Sequence, residues 1–333
     1  MGNKVLVTGA AGFIGSHVAE HCLKLGFEVV ATDDLSGGYI ENVPKDCIFI
    51  IGDLRDKSFV GRLFKEHIFD YIYHLGAYAA EGLSHFIRGY NYQTNLLASI
   101  YLINQAVLQK VKCFVFTSSI AVYGAGQSPM TEDTVPMPED PYGISKYAVE
   151  LDLKSAHEMF GLNYIIFRPH NVYGERQNIA DRYRNVVGIF MNQLLQNQPM
   201  TIFGNGEQTR AFSYIDDVAP VIASAALNES AYQQTFNVGA DKTYTVNQLA
   251  KIIADAFSKP VDIKYLPSRL EVVHAFSDHG KLRKYFNLPD PTLLEDGIKR
   301  MAEWVIKYGA REQVVFEEIE IQEKLPPSWN LKK

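Results

Sequence analysis

The chain has 333 residues, of which 47% are hydrophobic and 21% charged, and a formal net charge of −6. Those values allow one large or two modest domains with a sizeable core, and they exclude a disordered chain. The acidic balance lacks basic runs, which argues against a nucleic-acid partner, and no apolar run approaches the length of a membrane span.

Cys22, Cys47 and Cys113 are well separated, each in an apolar pattern. They make neither a disulfide framework nor a zinc site and fit a reducing cytosol. The start of the chain runs straight into a strand with no signal-peptide pattern, so a cytoplasmic location is expected.

In chain order, Lys4-Val5-Leu6-Val7-Thr8 reads as a buried parallel strand, and Gly9, Gly12 and Gly15 follow it. Ile14, Val18, Ala19, Cys22 and Leu23 then recur at helical spacing as far as Leu25-Gly26. Strand, glycine turn and helix form the context in which backbone N–H groups and a helix N-terminus receive a pyrophosphate. The spacing Gly-x-x-Gly-x-x-Gly differs from Gly-x-Gly-x-x-Gly, so the glycine roles do not transfer one to one.

Glu28–Thr32 is a second strand ending in Asp33-Asp34. A carboxylate there meets adenosine ribose hydroxyls and repels a 2′-phosphate, which favours NAD over NADP; alternatively the two acids simply open the loop 35–38. Ile48–Ile51 is a third strand, and Asp53 follows at its end in Gly52-Asp53-Leu54. Ser58–His67 reads as a helix with Phe59, Leu63 and Phe64 inward, and Tyr71–Leu75 as a strand leading to Gly76-Ala77. Asn91–Val107 is a long helix whose wide apolar stripe suits either a buried helix or helix-to-helix dimerisation. Cys113–Thr117 is a fifth strand with Ser118-Ser119 at its carboxyl end.

Alternating strands and helices imply a doubly wound parallel sheet, in which ligands bind beyond the carboxyl ends of the strands. Gly9, Asp33, Asp53, Gly76 and Ser119 all fall there. Residues 124–141 are a surface loop, Pro141–Phe160 a helix and Asn163–Phe167 a sixth strand. After Gly174 the pieces shorten. Asp181–Asn185 is polar and basic, Val186–Gln196 helical, Met200–Phe203 a strand, Arg210–Ile215 a strand and Asp216–Leu227 a helix. Phe236–Val238 is a strand, Val246–Phe257 a helix, Val261–Leu266 a strand and Leu293–Lys307 a helix; the tail Val314–Trp329 has no assigned role. The expected division is a Rossmann-like domain over 1–173, with segments returning near 209–240, and a smaller mixed α/β substrate-binding domain over 174–333.

Tyr142 and Lys146 stand at i and i+4 on one helix face. A phenol titrates near pH 10, and a neighbouring ammonium is the means of drawing it down toward use as a base. The hydroxyls of Ser118-Ser119 precede this pair in the chain. His17 and His21 have a ligand-like spacing, but no third ligand is evident and no metal is expected.

Gly9-x-x-Gly12-x-x-Gly15, Asp33, Gly52-Asp53-Leu54 and Ser118-Ser119-Ile120-Ala121-Val122-Tyr123-Gly124 belong to one pattern. Tyr142-x-x-x-Lys146, Arg168-Pro169-His170-Asn171-Val172-Tyr173-Gly174 and Gly204-Asn205-Gly206-Glu207-Gln208-Thr209-Arg210 complete it. The chain resembles the extended short-chain dehydrogenase/reductases, in the nucleotide-sugar epimerase/dehydratase branch typified by UDP-galactose 4-epimerase. The resemblance covers nearly all of the chain. It implies NAD held by Gly9, Gly12, Phe13, Ile14, Gly15, Asp33, Asp53, Leu54, Leu75, Gly76, Ala77, Asn95, Ser118, Tyr142, Lys146 and Pro169. It implies a nucleotide-diphosphate sugar held by Tyr78, Ser119, Tyr142, Asn171, Val187, Arg210 and Arg269; the homodimer is expected from the apolar stripe of Asn91–Val107. Tyr142 would take the proton of a sugar hydroxyl at C4, Lys146 would hold the nicotinamide ribose, and Ser119 would bond the reacting oxygen.

Departures narrow the reaction. The 4,6-dehydratases of this branch carry Asp-Glu where Ile120-Ala121 stand, and the 3,5-epimerase cysteine has no counterpart near the strand end, since Cys113 lies at its beginning. His170 replaces a customary Phe, so it either reaches the nicotinamide or a sugar hydroxyl or is a packed ring. The segment Tyr78–His85 is unusual and is expected to border the sugar, and Ala275 aligns loosely with a position that gates larger sugars. The leading expectation is an NAD-dependent 4-epimerase; the alternatives are a net C4 dehydrogenase or 4-ketoreductase, and a non-catalytic NAD-binding protein.

Overall fold

The computed structural model describes residues 2–126, 128–268, 274–311 and 316–329. The elements through the sixth strand are β1 (Lys4–Thr8), α1 (Phe13–Lys24), β2 (Glu28–Asp33), β3 (Ile48–Ile51), α2 (Lys57–Glu66) and β4 (Tyr71–His74), followed by α3 (Glu81–Ser84), α4 (Arg88–Tyr92), α5 (Ala98–Gln109), β5 (Cys113–Thr117), α6 (Pro141–Phe160) and β6 (Tyr164–Pro169). The remainder comprises β7 (Val172–Tyr173), α7 (Val186–Leu195), β8 (Met200–Phe203), β9 (Thr209–Ala211), β10 (Ser213–Tyr214), α8 (Ile215–Ser224) and β11 (Gln234–Val238), then β12 (Thr243–Thr245), α9 (Val246–Ala256), β13 (Ile263–Leu266), β14 (His274–Ala275), α10 (Gly280–Tyr285) and α11 (Leu294–Tyr308).

Seven strands form one sheet in the order β3-β2-β1-β4-β5-β6-β11, and every pair in it is parallel. This is the Rossmann-like doubly wound α/β fold. Alternate residues of each strand enter separate cores. Val5, Val7, Val115, Ile165 and Phe167 face one, with Val18 and Cys22 of α1 and Val218 and Ile222 of α8. Leu6, Ile72, Phe114, Phe116 and Ile166 face the other, with Leu63 of α2, Leu102 of α5 and Val149 and Leu153 of α6. Each such side chain contributes roughly 1.5–3 kcal/mol by burial, so a continuous apolar run such as β5 is stable only when covered on both faces. Strand order proceeds from β1 through β2 to β3 on one side and from β4 through β5 to β6 on the other, which opens a crevice at the carboxyl ends of β1 and β4.

Smaller sheets complete the chain: β7 with β10, β12-β9-β14, and β8 with β13. The expected strand Arg210–Ile215 is two strands, because the chain changes sheets at buried Phe212; its partners 243–245, 274–275 and 172–173 are distant in sequence. The expected helix Asn91–Val107 is likewise composite. A π-helical turn, Gln93–Leu97, joins α4 to α5 and turns Asn95 toward its partners. Asp140 caps α6 by accepting from the Gly143 N–H at 2.9 Å, Pro141 sits in the first turn, and Gly161 ends the helix at φ +75°.

Candidate active site

One cleft of about 1520 Å³ runs across the carboxyl ends of the strands. Gly9, Asp33, Asp53, Gly76 and Ser119, each from a different strand end, line it together. Gly9 has φ +69°, and a Cβ there would lie 2.7 Å from the Gly76 nitrogen; a Cβ on Gly15 would lie 2.0 Å from the Gly9 carbonyl oxygen. The turn therefore has no room for side chains, and Gly12 begins α1 without a side-chain cap. The first-turn N–H groups of Phe13, Ile14 and Gly15 have no acceptor within the helix, so they point their positive dipole end at the cleft. A cradle emptied of Cβ atoms in front of free donors fits a dinucleotide pyrophosphate.

Asp33 lines the cleft while one oxygen accepts from the Ala11 N–H at 3.1 Å and the other from the Leu35 N–H at 2.8 Å. Burial raises its carboxyl above the ordinary range against those bonds. Asp53 is engaged by Arg55, whose Nε bonds both carboxylate oxygens at 3.0 and 2.9 Å. Burial pushes that carboxyl up, but the Arg55 bonds outweigh it and the net shift is downward. Arg55 in turn lies 5.1 Å from the Tyr90 ring centroid. Leu54, Leu75, Ala77 and Pro169 also line the cleft, as do Phe13 and Ile14. Asn95 does not. It is buried behind the wall, where Oδ1 accepts from the Tyr78 N–H at 2.8 Å and Nδ2 donates to the Tyr78 carbonyl at 3.1 Å and to Asn91 Oδ1 at 2.8 Å. It holds the loop that carries Tyr78.

Ser118, Ser119, Tyr142 and Lys146 come together in the cleft. The two serines face different partners. Ser118 donates to Glu150 Oε1 at 2.6 Å, whereas Ser119 caps the short 3-10 turn 120–123 by accepting from the Ala121 N–H at 3.1 Å. Lys146 donates to the Thr117 carbonyl at 2.8 Å and lies 5.9 Å from the Tyr142 ring centroid. Its buried ammonium is lowered to about 7 by desolvation, opposed by the Glu150 carboxylate. Burial raises the Tyr142 phenol well above its usual value; an interaction with Ser119 works downward, Asp140 and Glu81 upward, and Arg184 downward. Burial is the largest influence on that phenol. The Lys146 ammonium reaches the Thr117 carbonyl, and in the protein alone burial outweighs every charge near Tyr142.

Tyr78, Asn171 and Arg210 also line the cleft. Asn171, at φ +40°, donates to the Ala211 carbonyl at 3.1 Å. Arg210 Nη1 donates to the Thr209 carbonyl at 2.8 Å. Val187 is wholly buried in the core, and its neighbour Val186 borders the cleft instead. Arg269 lies outside the described residues. The backbone of Ala275 pairs with Arg210. His170 is a packed ring. It is 3% exposed, its Nδ1 faces the Ala211 carbonyl at 3.2 Å, and its Nε2 faces His279 Nε2 at 3.1 Å. His17 is packed too, against the Phe13 ring and the Glu175 carbonyl.

The tail supplies a wall that sequence reasoning left unassigned. Ile321, Glu323, Lys324, Pro326, Pro327 and Trp329 line the cleft. Glu320 accepts from the Gly89 and Tyr90 N–H groups at 2.8 Å each, Phe316 sits 4.8 Å from the Tyr90 ring, and Trp329 stands edge-on to Tyr183 at 5.3 Å. No periodic signal marks this segment, since the contacts that seat it on the cleft are with residues far away in the chain. Glu150 was legible in principle: it extends the Tyr142/Lys146 face by one more step of four.

A model of the NAD dependent epimerase/dehydratase family matches residues 5–239. The chain is 34% identical over 305 residues to a putative UDP-glucose 4-epimerase of Methanocaldococcus jannaschii, covering 90% of this chain and 98% of that one. It is similar in structure to the Thermotoga maritima UDP-glucose 4-epimerase solved with UDP-glucose, at TM-score 0.86, 33% identity, and 92% and 99% coverage of the two chains. It is similar also to the Thermus thermophilus UDP-glucose 4-epimerase in complex with NAD, at TM-score 0.83, 31% identity, and 90% and 98% coverage.

Proposed function

Because the chain belongs to the NAD-dependent epimerase/dehydratase family of nucleotide-sugar enzymes, we propose that it is a 4-epimerase of a UDP-linked hexose. The observation that carries this reading is the meeting of Ser119, Tyr142 and Lys146 in the same cleft as the glycine turn. Bound NAD supplies the acceptor and donor of hydride at the sugar C4. Tyr142 exchanges the proton of the sugar O4, removing it as the 4-keto sugar forms and returning it to the other epimer. Ser119 holds the same oxygen and keeps it in line with the phenol. Lys146, anchored on Thr117, presents its ammonium to the nicotinamide ribose. Burial raises the Tyr142 phenol, and positive charge beside it favours its base form.

Residues 1–173, with the returning segments near 209–240, hold the cofactor in this proposal, and 174–333 mainly hold the sugar. Asn171 and Arg210 meet the diphosphate, where a guanidinium fork suits phosphate oxygens. Exposed Leu97 and Leu108 at α5, and Ile144 and Leu151 seven residues apart on α6, support a homodimer through these helices. No helix among the described residues is long and apolar enough to cross a membrane, and the site of action we propose is the cytoplasm.

The test is to incubate the purified protein with UDP-glucose or UDP-N-acetylglucosamine and no added nicotinamide. Interconversion of C4 epimers is expected, and Tyr142→Phe is expected to lower kcat by about 10²–10⁴-fold with the fold intact. Stoichiometric NADH production, or full activity in Tyr142→Phe, would overturn the reading. Sedimentation as a monomer would remove the dimer.

A further inference from the structure

The polar segment 175–185 does more than lead into α7. It is laced onto the glycine turn. Asn178 donates to the Gly37 carbonyl at 3.2 Å and accepts from the Tyr39 hydroxyl at 2.8 Å. Asn42 donates to both the Ala11 and the Arg176 carbonyls, each at 3.1 Å, and Arg176 pairs with Glu20 on α1. Gly38 lies flat on the turn, since a Cβ there would come within 2.4 Å of the Ala11 carbonyl carbon and 2.6 Å of the Gly12 nitrogen.

At the end of this segment Arg184 enters the cleft. Its Nε donates to Asp181 Oδ2 at 2.6 Å, and its guanidinium lies 4.9 Å from the Tyr78 ring centroid. Nη2 rests against Gly37, 2.9 Å from where a Cβ would stand. Among the described residues no acceptor takes either Nη group. The guanidinium is thus fixed along one edge and stacked on one face, with its remaining donors turned to the cleft beside Gly37.

The charge balance points to an anion there. A dinucleotide diphosphate carries about two negative charges, and a helix N-terminus offers roughly half a positive one. The other guanidinium on this side, Arg55, turns both Nε and Nη2 to Asp53, whereas Arg184 turns only Nε to Asp181. Arg184 is held where its two Nη groups can donate to two phosphate oxygens, a geometry that lysine cannot reproduce.

We propose that Arg184 clasps the diphosphate of the cofactor, and that segment 175–185 thereby keeps the dinucleotide bound between turnovers. The inference rests on the epimerase reading, in which the hydride must return before the cofactor leaves.

The test compares wild type, Arg184→Gln and Arg184→Lys. Each protein is dialysed, denatured and assayed for released NAD, and the rate of NADH dissociation is followed by fluorescence. Loss of a charge-assisted hydrogen bond is expected to speed dissociation by about 10- to 100-fold in Arg184→Gln, with a smaller effect in Arg184→Lys. UDP affinity, titrated by calorimetry, is expected to stay unchanged. Retention of cofactor by Arg184→Gln at the wild-type rate would overturn the clasp. So would a loss of UDP affinity with NAD retention intact, because the guanidinium would then serve the substrate's diphosphate. If Arg184→Gln does not fold, the dissociation rate of Arg184→Lys decides. A wild type that forms stoichiometric NADH from the sugar removes the epimerase reading but leaves the dissociation rates to judge the clasp on their own.

Discussion

Glu150 accepts from Arg168 through both carboxylate oxygens, at 2.9 and 2.5 Å, with neither side chain more than 3% exposed. The same carboxylate takes the Ser118 hydroxyl, and Arg168 lies 4.7 Å from the Tyr123 ring centroid, so the pair braces the strand end that carries Ser119. Arg168 Nη1 has no partner of its own, which leaves Glu150 as the main compensation for a buried guanidinium. Glu150→Ala is therefore expected to cost about 3–5 kcal/mol in urea unfolding, because it strands that charge. Glu150→Ala combined with Arg168→Met is expected to cost less than Glu150→Ala alone. A double variant as unstable as the single one would show that packing, not charge, is what the pair supplies.

Gly15 is placed by contact rather than by φ. A Cβ there would sit 2.0 Å from the Gly9 carbonyl oxygen, against backbone that cannot move without opening the turn. Gly15→Ala is expected to yield protein without bound NAD, whereas Gly61→Ala, where a Cβ meets nothing within 4 Å, keeps its cofactor. Released NAD measured after denaturation distinguishes the two.

Burial holds three histidines neutral: His17 falls to about 4, and His74 and His170 to about 3, with desolvation the first cause in each. The unfolded chain titrates them near 6.5. Between that value and about 4 the unfolded state binds more protons, so unfolding free energy falls as pH falls. His17→Gln is expected to remove one proton from this difference, flattening the stability slope near pH 5 by about 1.4 kcal/mol per pH unit. Urea midpoints collected from pH 4 to 7 read it directly; an unchanged slope would mean that His17 is already charged in the native state.

Lys4–Gly15 was legible as a cofactor turn because its chemistry is local. Strand propensity, absent Cβ atoms and the start of a helix lie within twelve residues. The strands β1–β6 were legible for a related reason: a parallel sheet covered on both faces demands continuous apolar runs, and those stand out against charged helices. Tyr142, Lys146 and Glu150 share a face by helical period alone.

The rest depended on residues that meet only in three dimensions. The Ser118 hydroxyl is taken by Glu150, thirty-two residues away, a partner that adjacency in sequence does not distinguish from one for Ser119. Arg210–Ile215 divides between two sheets because its partners come from three distant segments. The tail closes the cleft through single contacts with Gly89, Tyr90 and Tyr183, which leave no periodicity to read. The proton on Tyr142 was decided in the same way. Sequence placed an ammonium four residues from the phenol; the folded chain anchors Lys146 on the Thr117 carbonyl, 5.9 Å from the Tyr142 ring, and buries the phenol. Periodicity determines which residues share a face; dielectric surroundings and the choice among competing acceptors exist only after the chain has closed around them.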